Sequence, residues 1–218
     1  TSSWARIHFE GNGPYIIQDS VLSGQFYLRN AAQVDFNQQF VDFKELEIIS
    51  NFTGSIDVTG AEIHTEVLDF QQMDSAQYTY IDDPETEIFV SSRLSIRDAN
   101  RNFGQVSIAR ELSDNSLNPV SVFVSGQTND SIRFQSLTVE PFMIVTIQSG
   151  LVLDTESLEL NGTRTMPITL NAQTAGERAS VSVASGIVEA NNLDIKDIHA
   201  VGRATFNANN SLVGGGNS

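Results

Sequence analysis

Apolar residues in this chain come in short alternating runs. Phe26-Tyr-Leu28, Ile56-Asp-Val58, Leu94-Ser-Ile96, Val106-Ser-Ile108, Leu137-Thr-Val139, Leu158-Glu-Leu160, Ile168-Thr-Leu170, Val181-Ser-Val183 and Leu193-Asp-Ile195 each set two apolar side chains two residues apart. Period-two alternation over three to five residues, bounded by Gly, Asn and Thr, predicts short half-buried strands. No run reaches helical length. The stretch Phe40 to Ile49 is the one with a competing reading, because Phe40, Phe43 and Leu46 are spaced by three. Its β-branched residues and the even spacing of Val41 and Phe43, then Leu46 and Ile48, favour strands.

Punctuation agrees with this pattern. The five prolines, at 14, 84, 119, 141 and 167, all fall at the edges of strand candidates, where a missing N–H does least harm. Asp82-Asp-Pro84 and the Ser/Asn/Asp-rich run Leu112 to Pro119 read as loops. There is no linker and no shift in composition.

An apolar-x-apolar triplet recurs, starting at Phe26, Leu46, Leu68, Leu94, Leu137, Leu158 and Leu193. The intervals are 20, 22, 26, 43, 21 and 35 residues. Four of them match one turn of a solenoid, and 43 is close to two turns. A β-sandwich would need antiparallel hairpins and their two-residue turns, yet Asn12-Gly13 and Asn161-Gly162 are the only Asn-Gly pairs. The expected fold is therefore all-β, a right-handed parallel β-helix (solenoid), with residues 1–218 as a single segment. Roughly ten coils at the sheet spacing of about 4.8 Å would make a rod roughly 45 Å long.

Composition narrows the function classes. Thirteen Phe against one Trp and four Tyr suit layers of buried rings. The net charge is −15, and Lys44 and Lys196 are the only lysines. Such a chain repels nucleic acid and anionic membrane surfaces. Cysteine is absent, which excludes disulfides, thiolate metal sites and cysteine nucleophiles. No apolar run approaches the roughly 18 residues of a membrane span, so neither a nucleic-acid partner nor membrane insertion is expected. The chain begins Thr-Ser-Ser-Trp4 and ends Gly-Asn-Ser218, which reads as a segment of a larger protein.

Candidate chemistry is sparse. Asp98-Ala-Asn-Arg-Asn-Phe-Gly104 starts like a calcium loop, but Gly stands at position seven rather than six and Ala109 at position twelve. Asp82 to Glu87 carries four carboxylates on one loop, which reads as a solvated acidic turn; glycoside hydrolysis needs two carboxylates across a cleft. His8, His64 and His199 are isolated, without a partner at zinc-ligand spacing. No nucleophile elbow and no phosphate loop is present. No catalytic, metal or cofactor residue is assigned.

The last 70 residues carry a recognisable order of motifs: Leu158-Glu-Leu-Asn-Gly162, Ile168-Thr-Leu170, Ser185-Gly-Ile-Val188, Leu193-Asp-Ile-Lys-Asp197, then Gly202-Arg-Ala-Thr-Phe-Asn-Ala-Asn-Asn-Ser211 and Gly215-Gly-Asn-Ser218. This order resembles a module of large surface proteins of the Bacteroidota exported by type IX secretion, including gliding-motility adhesins. Arg203 departs from it, standing where the module has a second Gly. Ile7-His-Phe-Glu-Gly11, Tyr15 to Leu22 and Gly54 to Ile63 are similar to earlier parts of the same proteins. The resemblance implies an extracellular β-solenoid stalk or adhesin segment on the cell surface, handled by the type IX secretion machinery during export. It brings no catalytic residues. It also gives meaning to Asp19-Ser20-Val21, Asp74-Ser75-Ala76 and Asp130-Ser131-Ile132, which match the O-glycosylation pattern of such exported proteins, with Ser20, Ser75 and Ser131 as acceptors. The expected role is a structural or adhesive stalk, not an enzyme. The alternative is a carbohydrate-active β-helix acting on a polysaccharide, and its mark would be acids clustered with Arg or Lys on one sheet face.

Overall fold

The structure, a computed structural model, describes residues 6–49, 51–71, 78–81, 83–97, 102–111, 118–126 and 131–214, with the backbone alone at 21–23. Among these residues there are strands and turns and no helix. Every strand pairing is parallel, and the strands stack into a β-solenoid of about eight turns. That is fewer than the roughly ten expected, because several turns carry links much longer than a corner, such as the one from Ala109 to Pro119.

The first strands are β1 (Arg6–Phe9), β2 (Pro14–Ile16), β3 (Val21–Leu28), β4 (Gln33–Asp35), β5 (Phe40–Ile48), β6 (Ser55–Asp57), β7 (Glu62–Phe70), β8 (Thr79–Ile81) and β9 (Glu87–Ile96). Then come β10 (Asn102–Ile108), β11 (Val120–Ser125), β12 (Ser131–Val139), β13 (Met143–Ile147), β14 (Val152–Leu160) and β15 (Ile168–Ala172). The last are β16 (Ala179–Val183), β17 (Ile187–Asn191), β18 (Leu193–Lys196), β19 (Ile198–Gly202), β20 (Thr205–Asn209) and β21 (Leu212–Val213).

Three faces enclose the core, and the long strands each serve two of them. In β5, Val41 and Phe43 point inward, Lys44 and Glu45 both point outward, and Leu46 and Ile48 point inward again. Two successive outward residues shift the phase of the alternation, so the strand bends around a corner without a loop. The same doubling occurs at Glu66-Val67 in β7, Gln135-Ser136 in β12 and Glu156-Ser157 in β14. At two of these bends a buried Thr precedes the pair. Thr65 Oγ1 donates to Val67 O at 2.8 Å, and Thr155 Oγ1 to Ser157 O at 2.6 Å, which satisfies a hydroxyl that burial would otherwise penalise.

The bend changes place halfway along the rod. In β5, β7 and β9 one strand joins the first face to the second, and the short strands β2, β4, β6 and β8 make the third face as a separate sheet. In β10, β12 and β14 the long strand joins the third face to the first, after which β16 and β19 continue the third face while β17 and β20 form a separate sheet. β10 stacks on the first half of β9, with Val106 over Ile88, while β11 stacks on its second half, with Val124 beside Leu94. The second face then continues alone through β11, β13, β15, β18 and β21.

This switch corrects the reading of the 43-residue interval. Phe26, Leu46, Leu68 and Leu94 do lie in one register ladder on the second face. Leu137 and Leu158 instead stack with Val106 on the first face. In these six copies the triplet starts just after a bend, and the bend has moved to another corner; the seventh, at Leu193, opens β18 back on the second face. Asn161-Gly162 likewise makes no hairpin: Asn161 bridges Asn191 in parallel.

One continuous core runs from Ile17 to Ile198. Phe26, Phe36, Phe43, Phe52, Phe70, Phe103 and Phe134 are fully buried. Rings stack from coil to coil, with Phe26 and Phe43 centroids 4.5 Å apart and Phe70 and Phe103 5.1 Å apart. Beyond β14 the interior turns to smaller side chains, including Ala172, Ala179 and Ala190. Corners use left-handed backbone at Asn30, Asn192, Asn210 and Asp197, a conformation Asn and Asp adopt more readily than other side chains.

Candidate functional site

Stacking in register turns residues 20 to 30 apart in sequence into lateral neighbours. On the outside of the second face this gives a single column: Arg6, Gln25, Glu45, Val67, Arg93, Phe123, Thr146, Asn171 and Lys196, each opposite the next. At about 4.8 Å per strand the column is about 40 Å long. All nine side chains are exposed or half-buried. A second column beside it holds His8, Tyr27, Glu47, Asp69 and Ser95.

The N-terminal half of this surface is tied together by side chains. Arg6 Nε donates to Gln25 Oε1 at 2.6 Å, and Gln25 Nε2 to Glu45 Oε2 at 2.7 Å. Tyr27 donates its hydroxyl to the same Glu45 oxygen at 3.3 Å, and its ring stacks on His8 at 4.9 Å. Arg93 reaches across Val67, with Nη2 3.3 Å from Asp69 Oδ2 and 3.8 Å from Glu45 Oε1. Glu47 accepts from Gln71 Nε2 at 2.6 Å. Burial, then the charges of Glu45 and Asp69, push the Glu47 carboxyl above the ordinary range, against the pull of Arg29 and Arg93. Burial and the same acidic neighbours, Glu45 and Glu47, raise the Tyr27 hydroxyl. Asp69 is 9% exposed and Ser95 is also buried, so the second column closes there, while the first stays exposed or half-buried along its whole length. Acids and an arginine therefore do cluster on one sheet face.

A second polar cluster lies on the first face. His64 is packed between Phe40 and Phe89, with centroids at 5.2 and 4.3 Å, and its Nε2 is 2.8 Å from Glu62 Oε1. Lys44 Nζ donates to Glu66 Oε1 at 2.9 Å, a bond that raises the lysine. Glu111 is raised by burial, then by a hydrogen bond with Glu66 and the nearby charges of Glu66 and Asp42. The cavity between Asp42, His64, Phe89, Ser91 and Glu111 measures about 10 Å³, room for one water and no substrate. These groups hold the segment after β10 against the sheet.

The residues singled out from the sequence have ordinary places. Ser20 is exposed in the link before β3, Ser131 opens β12 half-buried, and Ser75 lies outside the described residues. Residues 98–101 of the calcium-like run also lie outside them, and Phe103 is a core ring. In the acidic loop, Asp83 is a turn acceptor. Its Oδ1 takes N–H bonds from Gly60 and Glu85, both at 3.1 Å, and lies 2.9 Å from the Thr86 hydroxyl. Desolvation works against its ionised form, but these bonds outweigh it and hold the carboxyl below the ordinary range. No three His, Asp or Glu among the described residues are arranged to hold a metal ion.

The charged column was missed by motif reading, although a signal for it exists. Aligning the triplets at Phe26, Leu46, Leu68 and Leu94 places Gln25, Glu45, Val67 and Arg93 just before them and Tyr27, Glu47, Asp69 and Ser95 within them. No protein-family model matches this chain, and neither a curated protein nor a solved structure resembles it significantly.

Proposed function

We propose that this chain is an adhesive β-solenoid that binds a polysaccharide along its second face, as a segment of an exported cell-surface protein. The observation that carries this reading is the accessible column from Arg6 to Lys196, which offers amide, hydroxyl, carboxylate and guanidinium groups at every few ångströms. Phe123 adds a half-buried aromatic ring between Arg93 and Thr146. Sugars offer the complement: hydroxyls that both donate and accept, and C–H faces that pack on rings. With a net charge of −15 the partner is neutral rather than a polyanion. Display on the surface after type IX export rests on the resemblance of the C-terminal motifs.

The test is a screen of the purified chain against neutral and acidic polysaccharides, reading binding and release of reducing ends from the same samples. Binding of a neutral polymer without release, weakened at least about tenfold by Gln25→Ala with Arg93→Ala, is expected. Absence of binding to every polymer sinks the reading.

A second reading, a glycoside hydrolase, is favoured by one observation. Glu47 is held toward its protonated form beside Glu45 and Asp69, the kind of split that separates a general acid from a carboxylate partner. Release of reducing ends, abolished by Glu47→Gln, would establish it over the adhesive reading.

A further inference from the structure

We propose that the groove at the C-terminal end of the second face is a second saccharide subsite, and that it acts with the column around Arg93 to grip one linear neutral polysaccharide lying along the rod. This rests on the polysaccharide-binding reading above and adds where the polymer lies and how its length is read.

The groove has a volume of about 340 Å³ and is lined by Thr169, Asn171, Gln173, Asp194, Lys196 and Asp197, among others. That is the size range of small-ligand pockets. Its groups are mixed: a hydroxyl, two amides, two carboxylates and an ammonium. Such a set suits a partner that donates and accepts in turn, as sugar hydroxyls do. It does not suit a polyanion, which Asp194 and Asp197 oppose.

The groove is preformed. Its wall is the turn after β15, closed on itself by Glu177 N–H donating to Thr174 O at 3.1 Å and pinned at two points: Thr174 N–H donates to Ser149 Oγ at 3.1 Å, and Gly176 N–H to Asp197 Oδ2 at 3.1 Å. Asp197 itself is 4% exposed and sits at a left-handed corner with φ of 56°. The Asn171 amide is oriented by its bond to Thr146 Oγ1 at 3.1 Å. A wall already ordered has little left to lose on binding.

Position links it to the charged surface. Asn171 belongs to the same column as Arg93, three strands further along through Phe123 and Thr146. The separation is about 15 Å at the sheet spacing. Neither intervening side chain is charged, so a neutral chain can cross them. Two subsites joined by one ligand raise its affinity through effective concentration, and only when the ligand spans both.

Calorimetric titration of the full chain with linear glucose and mannose oligomers of two to eight units tests this. The expected result is an affinity that climbs about tenfold or more at the length that spans both subsites and then levels off. Asn171→Ala with Lys196→Ala removes that gain, bringing long oligomers to the affinity of short ones, and Arg93→Ala does the same from the other end. Binding by the parent chain with no length dependence, or groove variants that bind long oligomers as the parent does, overturns the second subsite and leaves the adhesive reading standing. No binding of any oligomer or polymer by the parent overturns both. Circular dichroism of each variant separates loss of binding from loss of fold.

Discussion

Single residues in this rod are constrained by the coil beneath them. Gly202 has φ of +94°, and a Cβ there would sit 2.2 Å from Val183 O. Gly186 has φ of +96° and open space around it. Both disfavour a side chain through backbone strain, and only Gly202 adds a collision with backbone. Gly202→Ala is expected to lose about 1–3 kcal/mol, and more than Gly186→Ala, in urea unfolding; equal losses would show that the corner relaxes. Glu47 makes a pH-dependent prediction. Its folded-state carboxyl is raised by burial and by Glu45 and Asp69, so the folded chain holds that proton more tightly than the unfolded chain. Its contribution is therefore full below the ordinary glutamate range and is lost as pH rises through the raised value. Glu47→Gln, which keeps an acceptor for Gln71, should be more stable than the parent near pH 7 and no different near pH 4. Urea midpoints at the two pH values check this, and a parent more stable at pH 7 would contradict it.

Elements here are joined by bends more than by loops, and the bend that relocates between β9 and β10 is the point on which the second half of the rod depends. Phe103 sits just after it. Its ring packs on Phe70 at 5.1 Å, Tyr80 at 5.3 Å and Phe134 at 6.4 Å, and β8 and β10 are not themselves paired. The ring thus carries much of the continuity of the third face across the switch. Phe103→Ala is expected to cost about 3–5 kcal/mol. It should also split the unfolding transition, because a cavity at the junction weakens coupling between the two halves. A single, merely shifted transition would place the coupling on the second face, through β9 and β11.

At the scale of the whole molecule, each turn touches only its neighbours, so stability is spent unevenly along the axis. The last two turns leave Ile187 at 68%, Leu212 at 72% and Val213 at 62% exposed, above an apolar cavity of about 280 Å³ lined by Leu170, Leu193, Phe206 and others. The middle turns bury their apolar side chains almost completely. Amides of β18, β19, β20 and β21 should exchange with deuterium well before those of β7, β9 and β12. Uniform exchange would mean that the rod opens only as a whole.

The strands were legible along the chain because their cause is local. Alternation of two residues, broken by Asn, Gly and Pro, sets which side chains point inward wherever the strand ends up, and β5 follows it through its own bend. The parallel coil was legible because four of the six intervals between triplets fall between 20 and 26 residues while hairpin turns are scarce. The switch of corner between Leu94 and Leu137 was not, since the same local motif serves either corner and only packing around Phe103 selects one. Nor was the column from Arg6 to Lys196 visible as a surface. Its members are separated by whole turns of chain, and their hydrogen bonds form only once backbone pairing has set the register. The groove beside Asn171 and Lys196 depends further on a turn anchored to Ser149 and Asp197, and no local pattern encodes two distant anchors at once.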